Sequence, residues 1–208
     1  MSAVIWIVAA AVYLLFIGWY SNWRGKVRPD EIEAFLSRAK AHGADQHNDL
    51  GTLRAFLEQD DGREFFMLNL VKIAPGDIPD PDDGAPVSGR KVMARYTGPF
   101  MKRLFQHGGH PAMAARPVGG YVDAWNTGAN PGWSIVGYMR YRSRRDLMEL
   151  AGDESFASIH KYKIAATAET FSFPTQPIIL TLLSPKIWVG LVLALLAALV
   201  QIAVLLAR

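Results

Sequence analysis

The fold class this chain of 208 residues predicts is α+β: a βαββαβ domain flanked by one transmembrane helix at each end. Three observations predict it. Uncharged apolar stretches run from Ser2 to Tyr20 and from Ile187 to Ala207, each about the 20 residues a helix needs to cross a hydrocarbon core. Every Asp and Glu lies between these stretches. Within that polar interval, runs of strand length alternate with runs whose apolar residues recur at helical spacing.

The segment 1–21 reads as an N-terminal transmembrane helix and not as a cleaved signal peptide. Nothing positive except the amino terminus precedes Val4, and the exit carries Trp19, Tyr20 and Trp23, the aromatics of an interfacial belt, in place of a small-residue cleavage site. Arg24, Lys26 and Arg28 follow at once, so Trp19, Trp23, Arg24, Lys26 and Arg28 are the candidate membrane-interface residues. The positive-inside rule then puts the central domain in the cytoplasm and both termini outside, in a two-span protein of the cell membrane. Lys186 agrees with that orientation, and Arg208 opposes it.

Residues 22–63 read as a helical juxtamembrane linker. Pro29 and Asp30 open a helix to Ala41 with Ile32, Phe35, Leu36 and Ala39 on one stripe, and Thr52 to Gln59 repeats the pattern with Leu53, Phe56 and Leu57.

Residues 64–176 read as the sheet domain. Glu64 to Ile73 is an almost unbroken apolar run, as expected of a strand covered on both faces. Ala74 to Gly89 holds four prolines and four aspartates and reads as a loop. A helix from Arg90 to Gln106 follows, with Val92, Tyr96, Phe100 and Leu104 on one face and Gly108 and Gly109 ending it. Two strands come next, His110 to Val118 and Trp133 to Arg142, the second after the turn signal Asn130-Pro131-Gly132. Ser143 and Asp146 have the spacing of a capping box, a helix runs from Glu154 to Ala168, and Glu169 to Phe173 is the last strand. Strand, helix, strand, strand, helix, strand is the ferredoxin-like split unit. Such a sheet carries helices on one face, while its first strand offers Phe65, Met67, Asn69 and Val71 on one side and Phe66, Leu68 and Leu70 on the other. Both sides need cover, and a second copy of the sheet is the economical partner.

Residues 177–208 read as the C-terminal transmembrane helix. Gly190, Ala194 and Ala198 recur every four residues and Gln201 lies one turn on, so these four are candidates for helix packing, against the plainer reading that alanine is common in any such helix.

Composition removes several classes of chemistry. The 22 basic and 19 acidic residues leave a net charge of +3, largely in the juxtamembrane cluster, which points to anionic lipid and not to nucleic acid. The absence of cysteine removes disulfides, thiolate nucleophiles and Cys-type metal sites. His107 and His110 lack a third ligand at any recognisable spacing, so no metal site is predicted. Arg140, Arg142, Arg144 and Arg145 read as a solvated or lipid-facing surface, with recognition of an anionic ligand as the alternative. Trp125, Trp133, Tyr138 and Tyr141 are candidates for binding a planar or apolar small molecule, with core packing as the alternative.

The runs MLNLVK, WSIVGYMRYRSRRDL and DESFASIHKYKIAA, with the Tyr96 helix that ends in His107-Gly108-Gly109, resemble the dimeric α/β-barrel superfamily, in its branch of small proteins of unknown function. Antibiotic-biosynthesis and haem-degrading monooxygenases are distant members. The resemblance implies a homodimeric barrel. Carried over residue by residue, it implies catalytic roles for Asn69, as a polar amide over a pocket, and for His160, four residues after Phe156, as a ligand or base. Leu150 stands where the haem-degrading enzymes have tryptophan. It leaves the cofactor open, with haem as the candidate. Two functions are expected from this: a membrane-anchored barrel that binds a lipophilic or aromatic small molecule at the cytoplasmic face and acts on it as a monooxygenase does, or a non-catalytic accessory or assembly subunit of a larger membrane complex.

Overall fold

The computed structural model describes residues 2–41, 43, 46–180 and 182–207. The chain forms two compact units: one holds both terminal segments, up to Trp23 and from Ile178 onward, and the other runs from Arg24 to Pro177.

In the Arg24–Pro177 unit the centre is β1 (Phe65–Ile73). It pairs antiparallel with β5 (Ile135–Tyr141), Phe65 opposite Tyr141 and Val71 opposite Ile135, and on its other side with β6 (Thr167–Thr175), Leu68 opposite Phe173 and Leu70 opposite Phe171. β4 (His110–Ala115) pairs with the outer side of β5, so the sheet order is β4-β5-β1-β6. With α4 (Gly89–Gln106) between β1 and β4, and α5 (Arg144–Ala151) and α6 (Glu154–Ala166) between β5 and β6, this is the expected split arrangement.

The alternation along β1 decides what each face does. Phe65, Val71 and Ile73 face the helices and form the core with Tyr141 and the α4 stripe Val92, Met93, Tyr96, Phe100 and Leu104. Leu104 and Val92 are completely buried, the outcome expected of an apolar stripe at helical spacing. Helix and sheet meet closely where α4 turns into β4: a Cβ at Gly109 would collide with the Leu104 side chain and stand 2.9 Å from the Arg140 carbonyl oxygen.

Two expectations change in the fold. The stretch 74–89, read as a loop, contains a small antiparallel hairpin, β2 (Asp77–Pro79) with β3 (Pro86–Ser88). Ile78 and Val87, hidden in the sequence among prolines and aspartates, pair with each other and pack against the main core. Asp80 closes its turn by accepting from the Asp82 backbone N–H at 3.0 Å and from Arg95 Nη1 at 2.8 Å. The stretch from Arg24 to 63, read as a helical linker whose first helix lies against the core or the membrane surface, packs on the core. Its helices α2 (Pro29–Ala41) and α3 (Leu50–Glu58) form a second core from Ile32, Phe35, Leu36 and Leu57 with Met148 of α5, and Phe56 belongs to both cores.

In the terminal unit, α1 (Ser2–Tyr20) and α7 (Pro185–Leu206) are both long and apolar enough to cross a membrane. They pack as an antiparallel hairpin. Trp6 Nε1 donates to Gln201 Oε1 at 2.5 Å near one end, and Tyr13 donates its hydroxyl to the Lys186 carbonyl at 2.8 Å toward the other.

Candidate functional site

β1 holds Asn69 on its helix-facing side, opposite Gly137 of β5 and Ser172 of β6. The Asn69 side chain is engaged within the sheet. Nδ2 donates to the Met67 carbonyl at 2.9 Å, and Oδ1 accepts from Ser172 Oγ at 2.8 Å.

His160 is carried by α6 and packs against α4. Its ring stacks on Phe156 at 5.5 Å between centroids and lies 6.2 Å from the Tyr96 ring. Burial, aided by the nearby Lys163 and His47, pulls the imidazole pKa down to about 4, so the ring is neutral at physiological pH. Burial also lowers Lys163, whose ammonium sits 5.8 Å from the Tyr96 ring centre, and raises the Tyr96 and Tyr141 hydroxyls, which stay protonated. The cluster therefore holds a neutral imidazole among aromatic rings. No hydrogen bond or ring contact joins Asn69 to His160 among the described residues.

A neutral imidazole is a suitable axial ligand for haem, yet the Asn69 oxygen is taken by Ser172, and Leu150, at the expected tryptophan position, is fully packed into the core. A single proximal histidine can hold haem iron, so His160 is the residue that would carry it, and neither Asn69 nor Leu150 adds to that.

The four aromatic candidates do not form one site. Tyr141 is in the helix-side core, stacked on Phe65 at 5.1 Å. Tyr138 faces the other way, between Leu68 and Met113 on the helix-free side of the sheet, because the pleat sends successive residues to opposite faces. Trp133 meets Phe171 edge-on at 5.2 Å, and Trp125 is exposed on the loop 116–134.

A metal-like grouping does occur, at His107, Asp146 and Glu149. Its carboxylates are already committed: Asp146 accepts from Arg142 Nε at 3.0 Å and Ser143 Oγ at 2.6 Å, and Glu149 accepts from Arg24 at 2.6 Å. A cation there would have to displace Arg142, so the group reads as an ion-pair set. His110 is elsewhere, opposite Arg140 in the β4–β5 ladder.

The arginine cluster is corrected by the structure. Arg140 is 1% exposed and pairs with Glu64 across its Nε at 3.0 Å; Arg144 donates to the Phe56 carbonyl and lies over the Phe56 ring; Arg145 is buried against Glu31. None is a solvated or lipid-facing surface residue. Their charges are neutralised by acids far away in sequence, which spacing within residues 140–145 does not reveal.

Of the membrane-interface candidates, Trp19, Trp23, Lys26 and Arg28 are exposed. Trp23 Nε1 donates to the Gly18 carbonyl at 2.7 Å, and Arg28 is paired with Asp30. Arg24 bridges Glu31 and Glu149 at 2.7 and 2.6 Å, so it is tied to the domain. On α7, Gly190 and Gln201 do face a helix, and that helix is α1 of the same chain: a Cβ at Gly190 would lie 3.2 Å from the Tyr13 ring. Between them the buried small residue is Ala197, with Ala198 half-buried and Ala194 exposed. A strict four-residue stripe rotates by about 40° per step on a helix of 3.6 residues per turn, so it drifts off the contact line.

No protein-family model and no curated protein matches this chain. The crystal structure of RPA0582, a protein of unknown function from Rhodopseudomonas palustris, is similar with a TM-score of 0.53 and 19% identity, over 64% of this chain and 96% of that one. The methylated form of RPA0582 gives 0.55 and 19% over 65% and 96%. The likeness is one of fold. A structure of the Arabidopsis thaliana protein At3g17210 aligns over 57% of this chain and 99% of that one at 11% identity, with a TM-score of 0.34 that carries no argument.

Three features escaped the sequence reading. The Arg145–Glu31 pair spans 114 positions and has no local signal. Asp82, in the supposed loop, receives Lys161 at 2.5 Å and the Tyr162 hydroxyl at 2.9 Å, so the β2–β3 turn grips α6. Phe171 and Phe173 stand out on the helix-free sheet face, 46% and 45% exposed; their alternation with Ser172 was the available signal.

Proposed function

We propose that this chain is a membrane-tethered protein whose Arg24–Pro177 domain pairs sheet to sheet with a second copy, as a dimeric α/β barrel, and binds a lipophilic or aromatic small molecule in the layer between sheet and helices. The observation that carries it is His160, an imidazole kept neutral by burial among Phe156, Tyr96 and Lys163, since desolvated titratable groups beside aromatic rings concentrate at binding sites. Tethering by α1 and α7 in the cell membrane would raise the local concentration of an apolar ligand. The exposed aromatics Phe171 and Phe173 support the pairing, because a monomer leaves them in water. Arg24, Lys26 and Arg28 after the first span support a cytoplasmic domain. Protease added outside intact cells should leave the Asp77–Asp83 turn uncut; cleavage there overturns this orientation.

The test of binding is the content of the purified full chain in detergent. Native mass spectrometry and absorption should detect a small molecule that is lost in His160→Ala. A second reading, a non-catalytic assembly subunit, is favoured by one observation: the Asn69 amide is spent on Ser172 and Met67, so the polar pair expected to act with His160 is incomplete. Protein free of any small molecule, with another protein co-purifying in fixed ratio, selects that reading and ends the first.

A further inference from the structure

The loop 116–134, between β4 and β5, carries apolar side chains that nothing in the Arg24–Pro177 unit covers. Val118 and Val122 are fully exposed, and Trp125 is 83% exposed. The loop nevertheless has a defined shape. Asn130 Oδ1 accepts from the Gly132 backbone N–H at 2.8 Å, Gly132 and Asn126 adopt left-handed φ of +83° and 52°, and the Tyr121 hydroxyl accepts from Trp133 Nε1 at 3.0 Å.

That last bond joins two residues of the loop, one of which reaches the helix-free face of the sheet. Trp133 meets Phe171 edge-on at 5.2 Å, and Phe171 stacks with Phe173 at 6.2 Å on the face that also presents Leu68, Leu70 and Tyr138. Loop and sheet thus offer one continuous apolar surface. Its size bears on what covers it. The four strands have six, seven, nine and nine residues, which at a rise of about 3.3 Å and a spacing of about 4.8 Å give a face of roughly 500 Å² in plan. A stable interface takes about 800 Å² of accessible surface per partner, the scale this face reaches with the exposed side chains of the loop added. An aromatic side chain contributes about 150–250 Å² when buried, so Trp125 is a substantial share of it.

We propose that residues 118–125 are an arm that closes over the second copy when two chains pack sheet to sheet; this rests on the pairing proposed above. In a two-fold dimer each arm is contributed twice, so a substitution in it acts at two places.

The experiment follows self-association of the full chain in detergent by light scattering over a dilution series. Val122→Ser combined with Trp125→Ser should weaken association by at least about tenfold without lowering the unfolding midpoint at dilutions where wild type is also monomeric, since these side chains are exposed in the single chain. Phe171→Lys should abolish it. Because the chain has no cysteine, Trp125→Cys carrying a benzophenone label should crosslink one copy to another. If Phe171→Lys dissociates the dimer while the arm variant associates like wild type, the arm is refuted and the pairing survives. A wild-type chain that stays monomeric refutes both. If brominated lipid in nanodiscs quenches a fluorophore at position 125 and no crosslink forms, the bilayer covers the arm and the inference is overturned.

Discussion

Arg145 holds Glu31 in a two-pronged grip, Nη2 to Oε2 at 2.9 Å and Nε to Oε1 at 3.2 Å, while its remaining donors reach the carbonyls of Gly25 and Lys26 at 2.8 and 2.7 Å. One guanidinium on α5 therefore fixes the start of the domain. Both side chains are largely buried, so removing the cation leaves a carboxylate and two carbonyls unpaired. Arg145→Ala should cost about 3 kcal/mol, read as a fall in the unfolding midpoint and faster proteolysis between Gly25 and Pro29.

The same grip makes the domain acid-sensitive in a defined window. Hydrogen bonding from Arg145 is the main cause that brings Glu31 down from 4.5 to about 2. A depressed carboxylate contributes stability that is complete above the unfolded value and is lost as pH falls from about 4.5 toward 2. The slope of stability against pH in that range should flatten in Glu31→Gln, whose unfolding is measured beside wild type.

His160 acts in a higher window. Its pKa falls from 6.5 to about 4, so between those values the unfolded chain binds a proton that the folded chain refuses. Stability should therefore decline as pH is lowered from 6.5 to 4, and less so in His160→Gln. His110, also lowered by burial, contributes to the wild-type slope, so the difference between the two proteins isolates His160.

Gly109 is needed for want of space. A Cβ there meets the buried Leu104 side chain and the Arg140 backbone, neither of which can retreat without moving α4 from β5. Gly109→Ala should destabilise by about 1–3 kcal/mol. Thermal unfolding beside wild type is the measurement.

In the helical hairpin, Gln201→Leu removes the acceptor of the Trp6 indole N–H. Hydrogen bonds between membrane helices are worth about 0.6–1.7 kcal/mol, so the variant should separate the helices at a lower SDS fraction.

Legibility differed from residue to residue for physical reasons. The α4 stripe, the alternation of β1 and the Ser143 cap were readable because each depends on neighbours within four positions: Ser143 accepts from the Asp146 N–H as its spacing implies. Ile78 and Val87 were not, since their hairpin exists through pairing and core contact that prolines and aspartates disguise. His160 and Asn69 were legible as candidates because an isolated polar side chain in an apolar strand or helix stands out locally. That Asn69 would be claimed by Ser172, 103 positions away, was beyond local reading.

The sequence by itself determined the two apolar end helices, the order of strands and helices and the faces each presents, because hydrophobic period and turn chemistry are short-range. Only the tertiary structure decided which charges meet, that residues 24–63 pack on the core, that Gly190 packs on Tyr13 of the same chain, and that Trp133, Phe171 and Phe173 share one uncovered face. Those outcomes depend on which distant segments the closing sheet brings within a few ångströms, and no local pattern carries that distance.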